Sequence, residues 1–190
     1  MKPKLLLYCC KAKPYLYYAQ ESRTLMEIDN SFEGYKTTNK NVDDTLNGKI
    51  VAECDFEVED LRIVDDDPLG AYWYETKTLS ENEVLEKSCL TGDELFDYLG
   101  EDNEGYAIHI KNLHIFAEPR ELYDCLIHPK IEPKYYGCEH LSKAPQNMMY
   151  VELDDIKYIL ISIKPEWLCK ILNMKKTIEV RKKVLKEMLE

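Results

Sequence analysis

The chain has 190 residues and a formal net charge of −11, from 36 acidic and 25 basic side chains. This length is enough for one domain with a sizeable core, and no stretch approaches the roughly 20 consecutive apolar residues of a membrane-spanning helix. The acidic balance argues against generic, charge-driven binding to nucleic acid, which requires a broad basic surface.

The cysteine content predicts reduced thiols. The chain has seven cysteines, an odd number, and Cys9 and Cys10 are adjacent. This pattern is not that of a disulfide framework in a secreted domain. The segment Met1–Tyr8 favours a first strand over a signal peptide, because its apolar run is short. We therefore expect a cytoplasmic protein.

Acidic and basic residues are concentrated in different parts of the sequence. The acids are concentrated in the ranges 43–44, 53–67, 81–104 and 152–155. The cations are concentrated at the two ends, as Lys2, Lys4, Lys11 and Lys13 and as Lys170, Lys175, Lys176, Arg181, Lys182, Lys183 and Lys186. A run of charges on a terminal element is most often a solvated face. If the two ends meet in space, however, they form a positive surface that favours a small or single-stranded anionic ligand.

The first two thirds of the chain are dominated by strand patterns. Strands are predicted over 4–10, 49–59 and 105–116, and residues 61–64 continue or pair with the second of them. The predicted helices cover 80–87, residues 95–99 behind the capping box Thr91–Glu94, and the one or two turns of 119–123. The pattern therefore predicts a sheet with a few short helices.

The last third contains a proline-rich segment and a strand–helix–strand unit. Residues 124–146 are rich in proline and show little periodicity, so they are a candidate linker or insertion. A strand predicted over 158–163 precedes Pro165, which suits the first turn of a helix. A second strand is predicted over 177–180, where apolar and polar residues alternate.

We predict an α+β fold, a small mixed β-barrel with two or three short helices. About six strands with long-range pairing favour such a barrel over a doubly wound sheet. We expect a single domain over residues 1–190. Within it, residues 1–123 supply most of the barrel, 124–150 form a proline-rich linker or insertion, and 151–190 contain the strand–helix–strand unit.

The strand–helix–strand unit resembles the opening signature of ASCH domains, the ASC-1 homology relatives of the PUA fold. The matching residues are Ser162-Ile-Lys-Pro-Glu166 and Asn173-Met-Lys-Lys-Thr-Ile-Glu-Val-Arg181. Earlier segments resemble the later family elements in their usual order: Leu5–Pro14, Asn47–Cys54, Leu90–Leu99, Gly105–Leu113 and Ala144–Val151. The resemblance implies a PUA-like barrel whose opening signature has moved to the C-terminal residues 151–190.

This rotated order predicts a circular permutation, which is tolerated when domain termini lie close together at the surface. The alternative is a domain-swapped homodimer, in which the tail completes the barrel of a second molecule. One residue departs from the signature, because Met174 stands where family members usually have glycine. A left-handed conformation costs a non-glycine residue about 1 kcal/mol. We therefore expect either a different turn or strained angles at Asn173.

The resemblance implies binding of RNA or a modified nucleoside or nucleotide in a basic pocket beside the Lys164–Arg181 unit. The implied ligand-binding residues are Lys164, Trp167, Lys176, Thr177, Arg181 and, from the N-terminal cations, Lys11. Arg181 and Lys164 can hold a phosphate or a base edge. Trp167 can stack on a base, although a tryptophan on the apolar face of a short helix is more often part of the core. No cofactor is expected.

Enzymatic activity is left open by the same resemblance, because some small bacterial members hydrolyse acetylated cytidine with a lysine, a threonine and a glutamate. The lysine matches Lys176, the threonine position holds Glu179, and the glutamate falls near Glu86. Two alternatives to ligand binding follow. One is a small amidohydrolase acting on acylated nucleosides. The other is an interaction protein of a mobile element, whose acidic surface docks a partner or mimics nucleic acid.

Four possible zinc ligands lie in or near the proline-rich segment: Cys125, His128, Cys138 and His140. Cysteine and histidine are the ligands of tetrahedral zinc sites. The spacing between Cys138 and His140 is tighter than in structural zinc sites. We therefore expect no metal.

Overall fold

The computed structural model of the protein describes residues 3–11, 46–65, 72–100, 104–127 and 139–189. The strands in these residues are β1 (Lys4–Cys9), β2 (Ile50–Asp65), β3 (Tyr72–Glu75), β4 (Glu104–Arg120), β5 (Leu126–Ile127), β6 (Glu139–His140), β7 (Met148–Leu153), β8 (Ile156–Ile163) and β9 (Ile178–Arg181). The α-helices are α1 (Glu81–Ser88), α2 (Gly92–Leu99) and α3 (Pro165–Leu172). The fold is mixed α+β, as predicted. A bilayer-spanning helix would need more length and a more apolar sequence than any of these described helices has.

The strands pair into one sheet in the order β6-β5-β7-β8-β1-β2-β4-β9, and β3 pairs with β2. No pairing among the described strands joins β6 to β9, so the sheet is not closed. The prediction of a small mixed β-barrel is wrong in this respect. Alternation of apolar and polar residues fixes which face of a strand is buried, but it does not determine whether the two edges of the sheet meet.

Residue contacts divide the chain into two compact units. Unit 1 comprises Met1–Cys54 and Leu113–Asn173, and unit 2 comprises Asp55–Asn112 and Met174–Glu190. Each unit is thus built from two separate stretches of the chain, and β2 and β4 contribute to both. These limits differ from the divisions predicted after residues 123 and 150. The single domain over 1–190 stays a prediction.

The centre of unit 1 is β1, which pairs in parallel with β8 and antiparallel with β2. Leu5, Leu6 and Leu7 are all buried, as expected for a strand with apolar residues on both faces. One core cluster of unit 1 consists of Leu6, Tyr8, Ile50, Cys125, Leu141, Val151, Leu153, Tyr158 and Leu160. Strand β8, the first strand of the signature, lies beside the N-terminal strand of the same chain. The circular permutation and the domain-swapped homodimer both stay predictions.

Helix α3 begins as its sequence predicts, and the turn that follows it contains a strained residue. Pro165 occupies the first turn, and Leu168 and Ile171 are buried. Asn173 ends the helix with a φ of −88°. Met174 takes the left-handed conformation, with a φ of 56°. The strained residue is therefore Met174 and not Asn173.

Unit 2 contains α1, α2, β3 and β9 together with parts of β2 and β4. Strand β9 pairs antiparallel with β4, with Ile108 opposite Glu179. The core of this unit consists of Leu61, Tyr74, Val84, Leu95, Leu99, Ala107, Ile178 and Val180. The predicted capping box before α2 is confirmed: Thr91 Oγ1 accepts from the N–H of Glu94 at 3.2 Å, and the N–H of Thr91 donates to the Glu94 carboxylate at 2.8 Å.

Two elements differ from their predicted form, whereas β2 takes one of its two predicted forms. Residues 61–64 continue the strand predicted over 49–59, so β2 is one continuous strand of 16 residues. Strand β4 runs through Pro119 to Arg120, so the predicted helix at 119–123 is reduced to a 3₁₀ turn over Leu122–Asp124. The predicted linker contributes β5 and β6 to the sheet.

Candidate functional site

Lys176, Glu179 and Arg181 form a buried network of charges in unit 2. Lys176 is 2% exposed and Glu179 is 8% exposed. Lys176 Nζ donates to the carbonyl oxygen of Ser88 at 2.6 Å and lies 3.5 Å from Glu179 Oε2. Arg181 Nη2 lies 2.9 Å from Glu179 Oε1. Each carboxylate oxygen of Glu179 therefore faces a different cation.

The alternation of β9 explains why two of these charges share a face. Ile178 and Val180 belong to the apolar core of unit 2. Glu179 and Arg181 consequently lie on the opposite face of the strand, because successive side chains of a strand point in opposite directions. Buried charges with such partners form a network in which each charge is compensated.

Thr177 and Glu86 are placed differently from the buried network. The N–H of Thr177 donates to the carbonyl oxygen of Lys87, and the carbonyl oxygen of Thr177 accepts from the N–H of Ile110, both at 2.9 Å. Thr177 is half-buried, whereas Glu86 is exposed on α1. The structure thus brings together Lys176 and Glu179 of the possible catalytic set and leaves Glu86 in solvent.

Lys164 and Trp167 belong to unit 1, at the start of α3. The Lys164 side chain is 72% exposed, and its Nζ lies 3.9 Å from Glu166 Oε1. Trp167 is half-buried, and Lys170 Nζ lies 4.4 Å from its ring centroid. One face of the indole is therefore covered by a cation, an arrangement with favourable electrostatics.

A cleft of about 620 Å³ opens in unit 1, and Lys11 lines it. The other lining residues are Tyr8, Cys10, Gly48, Glu121, Leu122, Tyr123, Leu141, Ser142, Lys143, Ala144, Pro145 and Ser162. They come from the end of β1, the turn before β2, the turn after β4, the segment after β6 and the end of β8. The volume lies within the ~300–1,000 Å³ of typical small-molecule sites.

The Lys11 side chain lies close to the backbone of Gly48. Gly48 has a φ of +80°, and a Cβ placed on it would lie 2.8 Å from Lys11 Cε. The N–H of Gly48 donates to the carbonyl oxygen of Cys9 at 2.9 Å, and the N–H of Cys9 donates to that of Lys49 at 2.9 Å. The aliphatic stem of Lys11 therefore rests on a glycine backbone that is tied to the end of β1.

The cleft carries positive charge that no carboxylate of the described residues compensates. No carboxylate of the described residues forms an ion pair with Lys11 or Lys143. Glu121, the acid that lines the cleft, is already paired with Lys49. Two ammonium groups without an ion-pair partner in the described ranges attract an anion.

Tyr123 presents an aromatic ring at the same cleft. Its side chain is 64% exposed, and its ring stacks on that of His140 with centroids 4.1 Å apart and an interplanar angle of 7°. His140 Nδ1 lies 2.6 Å from the carbonyl oxygen of Tyr123, which fixes the imidazole against the turn. The sequence did not single out Tyr123 or Lys143. Tyr123 ended the short helix predicted over 119–123, and Lys143 lay in the proline-rich segment with little periodicity, so neither carried a distinctive signal.

The possible zinc ligands are only partly described. Cys125 is buried, and burial raises the pKa of its thiol to about 11. His140 is exposed and pairs with Leu126 across the β5–β6 ladder. His128 and Cys138 lie outside the described residues. Within the described ranges, no group of three or more His, Cys, Asp or Glu side chains is arranged to hold a metal ion.

Comparison of the chain with protein-family models, with curated proteins and with solved structures finds no match. A functional assignment therefore depends on the geometry and charge of the cleft, together with the residues that resemble the ASCH signature.

Proposed function

We propose that this chain is a PUA-like ASCH module that binds RNA or a modified nucleoside or nucleotide, and that the ligand binds in the cleft of unit 1. The observation that carries the proposal is the pair of cleft lysines, Lys11 and Lys143, which no described carboxylate compensates. On a protein with a net charge of −11, a small basic cleft favours a single nucleotide unit. A duplex binds instead through an extended basic surface.

The rest of the lining suits a nucleobase. The exposed ring of Tyr123 offers a stacking platform that His140 supports from one side. Base–aromatic stacking contributes about 1–3 kcal/mol per base. Part of the cleft wall is apolar and consists of Leu122, Leu141 and Pro145. Small-molecule sites likewise have a mainly apolar lining.

The charge distribution is our reason for assigning the ligand to Lys11 rather than to the signature cations. The guanidinium of Arg181 is engaged by Glu179 at 2.9 Å. The ammonium group of Lys176 is engaged by the carbonyl oxygen of Ser88. A ligand at the signature would have to displace these partners, whereas a ligand in the cleft would displace water.

The proposal also places the protein in the cytoplasm. Cys9, Cys89, Cys125 and Cys169 are thiols and not disulfides. Reduced cysteines are the usual state in that compartment.

A binding screen tests the proposed function. Short single-stranded RNA, the common ribonucleosides and their 5′-monophosphates would be titrated into the full chain by calorimetry, with duplex RNA for comparison. We expect saturable binding of the single-stranded or mononucleotide probes, weakening with added salt. Lys11→Gln and Lys143→Gln should weaken binding of the phosphate-bearing probes. Lys157→Gln, an exposed lysine outside the cleft, should not.

Two outcomes would reject the assignment. If no nucleoside, nucleotide or RNA binds the wild-type chain, the proposed function is wrong. If Lys164→Gln and Arg181→Gln abolish binding while the cleft variants bind normally, the site lies at the signature and not in the cleft.

The buried Lys176–Glu179 pair favours a second candidate, an amidohydrolase acting on acylated nucleosides. The pair supplies an ammonium group and a carboxylate 3.5 Å apart. Because Lys176 is 2% exposed, a substrate reaches it only after neighbouring residues move. The test is release of acetate from acetylated cytidine. Activity that disappears in Lys176→Ala, with binding retained, supports this candidate, and an inactive wild-type chain rejects it.

A further inference from the structure

The cleft distinguishes between a neutral and a charged ligand. The ammonium groups of Lys11 and Lys143 bring two positive charges to one cleft, and no described carboxylate balances them. A nucleoside has no charge to offer them. A phosphodiester offers one negative charge, and a phosphomonoester offers about 1.5 to 2 near neutral pH. The charge of the cleft therefore matches a phosphomonoester best.

The position of Lys11 strengthens this match. Its stem passes over Gly48 so closely that a methyl group there would lie 2.8 Å from Cε. The Gly48 backbone therefore lies directly beside the stem of this exposed lysine. The lysine ammonium group is a compact point charge, which suits a phosphate group.

We propose that the ligand carries a terminal phosphomonoester, held by Lys11 and Lys143, with its base stacked on Tyr123. The inference rests on the proposed function of the same cleft and narrows its ligand class. Two molecules share this chemistry: a free nucleoside monophosphate and an RNA strand with a phosphorylated end. Gly48 acts as a positioning residue for Lys11.

The test compares matched probes on the full chain by calorimetry. The probes are each common ribonucleoside, its 5′-monophosphate, inorganic phosphate, and one short single-stranded RNA with either a 5′-phosphate or a 5′-hydroxyl group. We expect each monophosphate to bind at least about tenfold more tightly than its nucleoside, since one charge-assisted hydrogen bond is sufficient for a tenfold change. Inorganic phosphate alone should bind more weakly than the monophosphates, because it lacks a base.

The variants distinguish the loss of a positive charge in the cleft from a loss of folded structure. Lys11→Gln and Lys143→Gln should each weaken monophosphate binding about tenfold and should affect nucleoside binding much less. Gly48→Ala should shift the monophosphate-to-nucleoside ratio in the same direction, because the added methyl displaces Lys11. Lys157→Gln should preserve both affinities. A loss of structure would weaken both classes of probe equally, and circular dichroism would detect it.

The outcomes distinguish this inference from the proposed function. If nucleosides bind as tightly as their monophosphates, or the lysine variants weaken both equally, the phosphomonoester inference is wrong and nucleoside binding stands. If no probe binds, both proposals are wrong. A strong preference for 5′-phosphorylated over 5′-hydroxyl RNA supports an RNA end as the source of the phosphate. Tight binding of the monophosphates with no binding of either RNA supports a free nucleotide.

Discussion

At the scale of single residues, the Glu53 carboxylate of unit 1 stabilises the fold through two hydrogen bonds. Its carboxylate accepts from Lys4 Nζ and from the Tyr158 hydroxyl, each at 2.8 Å. Burial alone would raise the pKa of Glu53, but the hydrogen bonds from Lys4 and Tyr158 outweigh burial and lower it. The folded state therefore binds this proton less tightly than the unfolded state does.

We predict that Glu53→Gln lowers the free energy of unfolding near neutral pH by about 2 kcal/mol. Since the folded-state pKa of Glu53 is lowered, its stabilising effect is complete above the ordinary pKa of a glutamate. The effect is lost as the pH falls through the lowered value. Urea denaturation of both proteins at several pH values should show the difference shrinking in acid.

Glu57→Gln provides the matched control on the same strand. Glu57 is also paired with a lysine, Lys111, but its side chain is 65% exposed. Solvent screens such a pair. Glu57→Gln should therefore lower the free energy of unfolding by less than Glu53→Gln does, and its effect should diminish with added salt. Equal destabilisation by the two substitutions, or a Glu53→Gln effect that is the same at every pH, would contradict the argument.

Lys176 carries the second prediction at this scale. Lys176→Met removes a buried cation and leaves Glu179 Oε2 and the carbonyl oxygen of Ser88 without it. Breaking a buried pair by removing one partner costs about 3 kcal/mol or more. Chemical denaturation should show this loss, and Lys186→Met at an exposed position should show none. A Lys176→Met protein as stable as the wild type would mean that the network contributes no net stability.

The sequence assigned ligand binding to the signature residues but did not indicate whether those residues are open to a ligand. Lys176 and Arg181 were assigned to ligand binding because they match the motif. Lys176 is buried, and its partner, the carbonyl oxygen of Ser88, is supplied by α1 from far away in the sequence. The Glu179–Arg181 pairing was accessible to reasoning, because residues two apart on a strand share a face.

At the scale of elements, the turn between α3 and β9 contains a strained residue. Met174 has a φ of 56° and its side chain is 51% exposed. A non-glycine residue in this conformation costs about 1 kcal/mol. We predict that Met174→Gly raises the free energy of unfolding by up to about 1 kcal/mol, less the extra entropy of glycine in the unfolded chain.

Met174→Ala is the control for this turn, because it removes the same exposed side chain and keeps the strain. Thermal unfolding should give a higher melting temperature for Met174→Gly than for Met174→Ala. The reverse order would show that the unfolded-state entropy of glycine outweighs the relief of strain.

Helix starts that are marked by a few adjacent residues were predicted correctly. The two-residue strands, which exist only through their pairing with other strands, were not predicted. The capping box of α2 and the proline at the start of α3 are short motifs that can be recognised in the sequence. Strands β5 and β6 have two residues each, too few for any periodicity. Pro119 suggested a helix start, whereas it is the second-last residue of β4.

At the scale of the whole molecule, closure of the sheet was the feature that the sequence could not determine. The resemblance to a barrel family implied that the edges meet, but the described pairings run from β6 to β9 without joining them. The pairing of β8 with β1 follows from long-range contacts of two apolar strands. It brings the last third of the chain beside its first strand, which is the kind of proximity that a permuted order requires.

Two buried thiols of unit 1 allow a test of whether that unit unfolds cooperatively. Cys9 is 1% exposed on β1, and Cys125 is 0% exposed next to β5. Burial raises the pKa of Cys9 to about 12 and that of Cys125 to about 11. Near neutral pH both are therefore protonated, and a thiol in this form reacts slowly with alkylating agents. Labelling of either residue requires the surrounding structure to open.

We predict that both cysteines become reactive at the same urea concentration. Strand β1 pairs with β8, β8 pairs with β7, and β7 pairs with β5, so a continuous ladder connects the two positions. Brief alkylation at increasing urea, followed by mass spectrometry of the peptides, gives a midpoint for each thiol, with rates in fully unfolded protein as the reference. A lower midpoint at Cys125 would mean that the β5–β6 edge opens before the centre of unit 1. The cleft, which Tyr123, Leu141 and Lys143 line from that edge, would then lose its wall while Lys11 and β1 remained folded.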